Sequence, residues 1–260
     1  MQPLEGITVL NTRPPHQAQH LSKAIEQEGG VVYELPLISL EPLEDRSRLQ
    51  RDLERIHTCE WIIFTSVNSF TFFLQAAREV GYAPESLLLN KKVAVVGKKT
   101  AKCVKEAGYE VDLIPNVFNA EYLRDALIAE TDEATSFFYP RSRQARPVLR
   151  RGLKLAGRRV FDMVVYDAVP NKSHVEQLHT LIMYKQIDVI ILTSPSAVNA
   201  LFDQVSSDLH QLLKESFTFA VIGNVTKKAL QRYDVNKMIM PETFTSEGLV
   251  TVIKKNSKQL

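Results

Sequence analysis

The first half of this 260-residue chain is repeated in the second, and no other feature limits its possible folds as much. Arg13 in the run NTRP matches Arg141 in YPRS, 128 positions later. At the same offset Leu21 meets Leu149, Gly29 meets Gly157, Val32 meets Val160 and Pro42 meets Pro170. WIIFTS falls on VIILTS, pairing Thr65 with Thr193 and Ser66 with Ser194. Beyond that point the offset becomes 126, aligning Ala94 with Ala220, Gly97 with Gly223, Thr100 with Thr226, Pro115 with Pro241, Glu121 with Glu247 and Leu123 with Leu249. Two copies are too few for a solenoid. They predict a duplicated, two-lobed protein instead.

Within each copy, short β-branched runs alternate with stretches of helical period, the pattern of parallel-sheet α/β folds. Strands are expected at Ile7–Leu10, Val31–Leu40 (interrupted at Pro36), Trp61–Thr65 and Val93–Val96. Helices are expected over His16–Glu28, closed by Gly29-Gly30, over Ser47–His57, from Ser66 onward, and from Gly97 to about Ala107. The proline-bearing segments Val31–Pro42 and Arg159–Pro170 hold equivalent places, so the chain is expected to cross between lobes at both.

The remaining composition narrows the function. A net charge of +2, with Lys and Arg spread along the chain, gives no basic stripe for nucleic acid. Cys59 and Cys103 stand alone and read as reduced thiols. The N-terminus does not read as a signal peptide, and no apolar run nears the ~20 residues of a membrane helix. A cytoplasmic protein is therefore expected. GxGxxG after a strand, GxxxxGK[ST], HExxH and GxSxG are all missing, which removes the usual nucleotide, zinc-protease and hydrolase readings. His16 and His20 lie four apart but lack a third ligand, so a solvated or capping role is expected and no metal.

Four turns remain in which a strand hands over to a helix through small hydroxyl or glycine residues: Thr65-Ser66-Val67-Asn68, Gly97-Lys98-Lys99-Thr100, Thr193-Ser194-Pro195-Ser196 and Gly223-Asn224-Val225-Thr226. In parallel sheets, ligands bind beyond the carboxyl ends of strands, where helix N-termini present free N–H groups to anions. Each turn alone reads first as an ordinary N-cap, a role that does not exclude binding. Four in register across the two copies favour a ligand site between the lobes. Arg13 and Arg141 follow the first strand of each copy and suit either forked carboxylate binding or a salt bridge. Tyr166 in VVYDAV offers a phenol at the second crossover, for hydrogen bonding or for packing. Trp61, Phe70, Phe72 and Phe73 are expected in the core. Lys254 and Lys255 suit a helix C-terminus.

Taken in order, LNTRP, LPLISLEP, WIIFTSVNS, VAVVGKKTAKCVKEAG, YPRS, VVYDAV, IILTSPSAVNALF and AVIGNVTKKAL resemble the uroporphyrinogen-III synthase family over nearly the whole chain. The resemblance implies two flavodoxin-like lobes with parallel sheets, joined by two extended segments. It places residues 1–38 plus 167–260 in one lobe and 39–166 in the other, with the active-site cleft between them. It implies a cofactor-free lyase of haem and related tetrapyrrole biosynthesis that acts as a monomer. The implied substrate is hydroxymethylbilane, and transient contact with the preceding deaminase is an expectation from the pathway. The bilane is closed through azafulvene and spiro intermediates to a macrocycle whose last pyrrole is inverted. Tyr166 matches the family tyrosine proposed to assist departure of the hydroxyl. Thr12, Arg13, Ser66, Asn68, Gly97, Thr100, Arg141, Ser194, Ser196, Gly223 and Thr226 are the expected substrate-binding positions. The chain departs from the family at Lys227, where a small residue is usual, and at Asn11, where a β-branched one is. A two-lobed binding or regulatory protein of the same fold, without turnover, is the rival reading.

Overall fold

The computed structural model describes residues 2–259 and divides them into two compact units, Met1–Ser39 with Val169–Leu260, and Leu40–Ala168. The unit boundaries fall inside a strand, Ile38–Pro42, and near the end of another, Arg159–Pro170.

The discontinuous unit contains β1 (Thr8–Asn11), α1 (Pro15–Gln27) and β2 (Val31–Glu34) from the start of the chain. The chain leaves it along β3 (Ile38–Pro42) and builds the continuous unit from α2 (Arg46–Glu54), β4 (Trp61–Phe64), α3 (Val67–Glu79), α4 (Pro84–Leu88), β5 (Lys92–Val95), α5 (Lys98–Glu106), α6 (Ala120–Glu130), β6 (Ser136–Ser142), α7 (Val148–Leu155) and β7 (Arg159–Pro170). It then completes the first unit with α8 (Val175–Met183), β8 (Val189–Leu192), α9 (Pro195–Gln204), α10 (His210–Ser216), β9 (Thr218–Val221), α11 (Asn224–Gln231), β10 (Met238–Ile239) and α12 (Ser246–Asn256).

The sheet of the discontinuous unit runs β10-β9-β8-β1-β2, with every pair parallel. Counted within that unit the order is 2-1-3-4-5, the flavodoxin-like doubly wound arrangement. The continuous unit runs β3-β7-β6-β4-β5, with a parallel bridge from Ala94 to Leu113 beyond β5. The repeat equates β6, β7, β4 and β5 with β1, β2, β8 and β9, so the two sheets share one spatial order with the chain entering at different strands. Each unit therefore combines the opening of one copy with the remainder of the other. The expected Val31–Leu40 run is split into β2 and β3, because Pro36 lacks the N–H a continuous ladder needs. The expected Ser47–His57 helix ends at Glu54 and tightens into a 3₁₀ turn over Arg55–Thr58.

Residues of the inner strands are buried on both faces, which explains runs such as WIIF that do not alternate with polar residues. In β4, Ile62 and Phe64 pack with Leu53, Phe70, Phe73 and Val104, whereas Trp61 and Ile63 pack with Leu123, Leu127, Leu149 and Leu153. The period of two sends neighbours to opposite helical layers. In the other unit, Val9, Val189, Ile191 and Ala220 meet Leu21, Ile25, Leu249 and Ile253. Their strand neighbours Leu10, Ile190, Leu192 and Phe219 are fully buried as well. Each such side chain contributes about 1.5–3 kcal/mol, against about 1 kcal/mol for a helix cap. Stability lives in the sheets, which leaves the turns at their carboxyl ends free to serve a ligand. Phe70, Phe73 and Trp61 are core as expected, while Phe72 is only partly buried. Cys59 is buried and Cys103 partly so, both as free thiols. No helix is long and apolar enough to cross a membrane, and among the described residues no group of His, Cys, Asp or Glu is placed to hold a metal. His20 lies exposed, 3.8 Å from Glu247, and Lys254 bonds Glu28 at 2.7 Å.

Candidate functional site

Two kinds of helix start occur at the carboxyl ends of the strands. After β4 and β8 the helices are capped by serine. Ser66 Oγ accepts from Ser69 N at 3.0 Å, and Ser69 Oγ accepts in return from Ser66 N at 3.2 Å. Ser194 Oγ accepts from Ala197 N at 3.1 Å and lies 2.9 Å from Ser196 Oγ. These hydroxyls are already employed as caps. Asn68, in the first turn of α3, is half-buried, and no partner for its amide is found among the described residues.

After β5 and β9 the helices begin at Gly97 and Gly223, and neither has a side-chain cap. The first-turn N–H groups of α5 and α11 are left to solvent or to a ligand. Thr100 and Thr226 stand at the third helical position, buried. The α5 start carries Lys98 and Lys99 and no acidic residue, the reverse of what the helix dipole favours on its own account. An anion bound there would reverse that penalty.

The two duplicated arginines have different fates. Arg13 is half-buried, and its Nη1 donates to Ser246 Oγ at 2.9 Å while Nη2 donates to Gln17 Oε1 at 3.2 Å. Its Nε is buried with no partner, and among the described residues no carboxylate pairs with it. Burial lowers its pKa from the usual value, yet an arginine there stays protonated. Arg141 instead grips Asp162 through Nε at 2.8 Å and Nη2 at 2.6 Å, and Asp162 also takes Arg150 at 2.8 Å. The salt-bridge reading is the one that fits Arg141.

Thr12 is buried, and its hydroxyl donates to Ile191 O at 2.6 Å, joining the β1 turn to β8. Asn11, the departure from the family pattern, is also internal. Its amide donates to Ala18 O and to Ser22 Oγ, and its Oδ1 accepts from Arg13 N, fixing the turn that carries Arg13. Lys227, the other departure, lies partly exposed on α11.

Tyr166 is 9% exposed on β7, with its ring stacked on Phe72 at 4.9 Å between centroids. No hydrogen bond to its phenol is found among the described residues. Phe72, assigned above to the core, is the platform that orients it. Sequence reading passed over Tyr139, whose phenol lies 3.5 Å from Thr65 Oγ1 and is pushed up in pKa by burial. It also passed over Phe118 and Phe244, rings more than half exposed that touch Gly97 and Gly223. Their signal was present: they are equivalent under the offset of 126.

Comparison of the whole chain places it among known proteins. A family model described as uroporphyrinogen-III synthase HemD matches residues 19–251. A putative uroporphyrinogen-III synthase of Methanothermobacter thermautotrophicus is 29% identical over 247 residues, covering 93% of this chain and 95% of the relative. A uroporphyrinogen-III synthase of Chlorobaculum parvum is 26% identical over 254 residues, covering 96% and 99%. Among solved structures, a mutant uroporphyrinogen III synthase of the extremely thermophilic bacterium Thermus thermophilus matches with a TM-score of 0.66 at 17% identity, covering 98% of this chain and all of the other. That last likeness is one of fold.

Proposed function

We propose that this chain, which belongs to the uroporphyrinogen-III synthase family, cyclises hydroxymethylbilane to uroporphyrinogen III with loss of water and inversion of the terminal pyrrole. The observation that carries the reading is Arg13, a half-buried guanidinium with an orphaned Nε and no carboxylate partner among the described residues. A buried donor left unmet costs about 1–3 kcal/mol, and a ligand carboxylate is the partner that removes that cost. The uncapped starts of α5 and α11 supply further donors of the same kind.

The chemistry asks little else of the protein. Electron density from the substrate's own pyrroles expels the hydroxyl, so no strong nucleophile is needed. Unguided closure gives the symmetrical isomer. The enzyme's task is to hold the terminal ring where its substituted carbon attacks, and positioning of this kind is worth several kcal/mol. Arg13, Asn68, Gly97, Thr100, Gly223 and Thr226 hold peripheral carboxylates. Ser66, Ser194 and Ser196 shape the helix starts beside them, and Thr12 and Arg141 support the turns. Tyr166, kept in place by Phe72, donates from its phenol toward the departing hydroxyl. The chain acts as a cytoplasmic monomer and takes its short-lived substrate by transient contact with the deaminase that makes it.

The test is direct. The purified chain is given fresh hydroxymethylbilane, the products are oxidised, and the isomers are separated. Isomer III should dominate; isomer I alone, at the uncatalysed rate, overturns the reading.

A further inference from the structure

Phe118 and Phe244 occupy equivalent places in the two copies, one in each unit. Each follows the outermost parallel segment beside its sheet, Leu113 in one unit and β10 in the other. Each directly precedes the residue that caps the next helix, Asn119 for α6 and Thr245 for α12. Asn119 Oδ1 accepts from Tyr122 N at 2.9 Å and Thr245 Oγ1 from Gly248 N at 3.1 Å, so both rings hang from anchored backbone.

Neither ring serves its core. Phe118 is 52% exposed and Phe244 57%, while in the same repeated segments Pro115, Pro241, Leu123 and Leu249 are buried. The packing is done by those neighbours. A large aromatic left in water at the same repeated place in both copies has a different use.

Phe118 also bears on Gly97. Gly97 and Gly223 have φ of −174° and −175°, extended backbone that any residue adopts. Conformation therefore requires glycine at neither position; at Gly97 proximity favours it. A Cβ on Gly97 would stand 3.2 Å from Phe118 Cβ and 3.3 Å from its Cγ, closer than is comfortable. At Gly223 the nearest ring atom of Phe244 would be 3.5 Å away, an ordinary contact. Each ring thus lies against the start of an uncapped helix. Cations adjoin them: Lys98 Nζ sits 5.8 Å from the Phe118 centroid, and Arg13 bonds Ser246, two residues beyond Phe244.

This arrangement matches the substrate assigned above, on which the inference rests. Acetate and propionate arms place each carboxylate only a few bonds from a pyrrole ring. A donor that holds the carboxylate must have the ring close by, and there the protein presents an apolar aromatic face. We propose that Phe118 and Phe244 are specificity-determining contacts, each packing against a pyrrole ring of the substrate whose carboxylate is held at the neighbouring helix start.

The experiment uses the full chain and hydroxymethylbilane, comparing wild type with F118A, F118L, F244A, F244L and the double alanine variant. It reads KM, kcat, the isomer III to isomer I ratio and thermal unfolding. Each alanine variant should raise KM about tenfold, because an aromatic contact and its buried area amount to roughly that factor. The double variant should release isomer I beside isomer III, and melting should stay near wild type. Leucine, apolar but without a ring face, should restore only part of the loss. Gly97→Ala should raise KM in the wild-type background and have a smaller further effect beside F118A, which removes the ring but keeps the Cβ 3.2 Å away, while Gly223→Ala should be mild. If wild type makes isomer III and the double variant keeps its KM and isomer ratio, the inference falls and the assigned reaction stands. Alanine variants that melt early while the leucine variants keep full KM assign the rings to folding, which also overturns it. If wild type yields only isomer I at the uncatalysed rate, the assigned reaction itself fails, a result visible before any variant is made.

Discussion

Arg13 and Arg141 began as one residue in a duplicated sequence and now sit in opposite electrostatic situations. Arg141 turns its fork inward onto Asp162, which Arg150 also holds, and this closes a charge network at the end of β6. Arg13 keeps its fork half-buried against two neutral partners, Ser246 and Gln17. The position equivalent to Asp162 is Glu34, at the exposed end of β2, and no pairing with Arg13 results. One copy used the arginine to brace a turn, and the other left it available. A duplicated motif therefore marks a duplicated backbone position without duplicating the task done there.

Five substitutions at four positions test this contrast, the largest effect first. Asp162→Ala leaves Arg141 and Arg150 without their carboxylate and should lower stability by about 2–3 kcal/mol, read by urea unfolding; a loss under about 0.5 kcal/mol would mean the network braces nothing. Arg13→Ala should do the opposite. Stability should move by less than about 1 kcal/mol, while KM for hydroxymethylbilane should rise about 30-fold or more. Arg13→Lys should recover only part of this, since the ammonium lacks the fork. An Arg13→Ala variant with normal KM would make the two arginines alike after all. Tyr166→Phe should lower kcat about tenfold, below the range of a full general acid, and keep the isomer ratio. Loss of isomer choice would shift Tyr166 from assisting departure to steering closure. Ser246→Ala removes one hydrogen bond that aims Arg13 and should raise KM only about two- to threefold, a change that should vanish in the Arg13→Ala background.

The fold was legible because its signals are local and repeated. Apolar runs bounded by glycine or hydroxyl turns located β4 and β5 within a residue or so, the repeat implied strands where β8 and β9 lie, and Pro36 marked the break between β2 and β3. The site was less legible because its decisive facts are partnerships. Arg141 meets Asp162 only because β6 pairs with β7, with Tyr139 beside Asp162. The sequence treats Ser66, Ser194 and Gly97 as members of one set. The structure separates serines that cap their helices from a glycine that leaves its helix open. Phe72 was read as core from its neighbours Phe70 and Phe73, but helical spacing turns it outward to stack on Tyr166. Phe118 and Phe244 were legible and missed. A lone aromatic in a loop looks like filler until the repeat is followed through it.

The interleaving of the two copies has a consequence for synthesis. Strand β1 lies between β2 and β8, so during synthesis it lacks one of its two neighbours until residues 189–192 have been made. At ordinary elongation speeds that wait lasts on the order of 10–40 s. In the meantime Leu40–Ala168 emerges without interruption and can finish its own sheet. The unit that begins first is thus completed last, and for that interval Val9, Leu10, Leu21 and Ile25 stand as an unfinished apolar surface on the nascent chain.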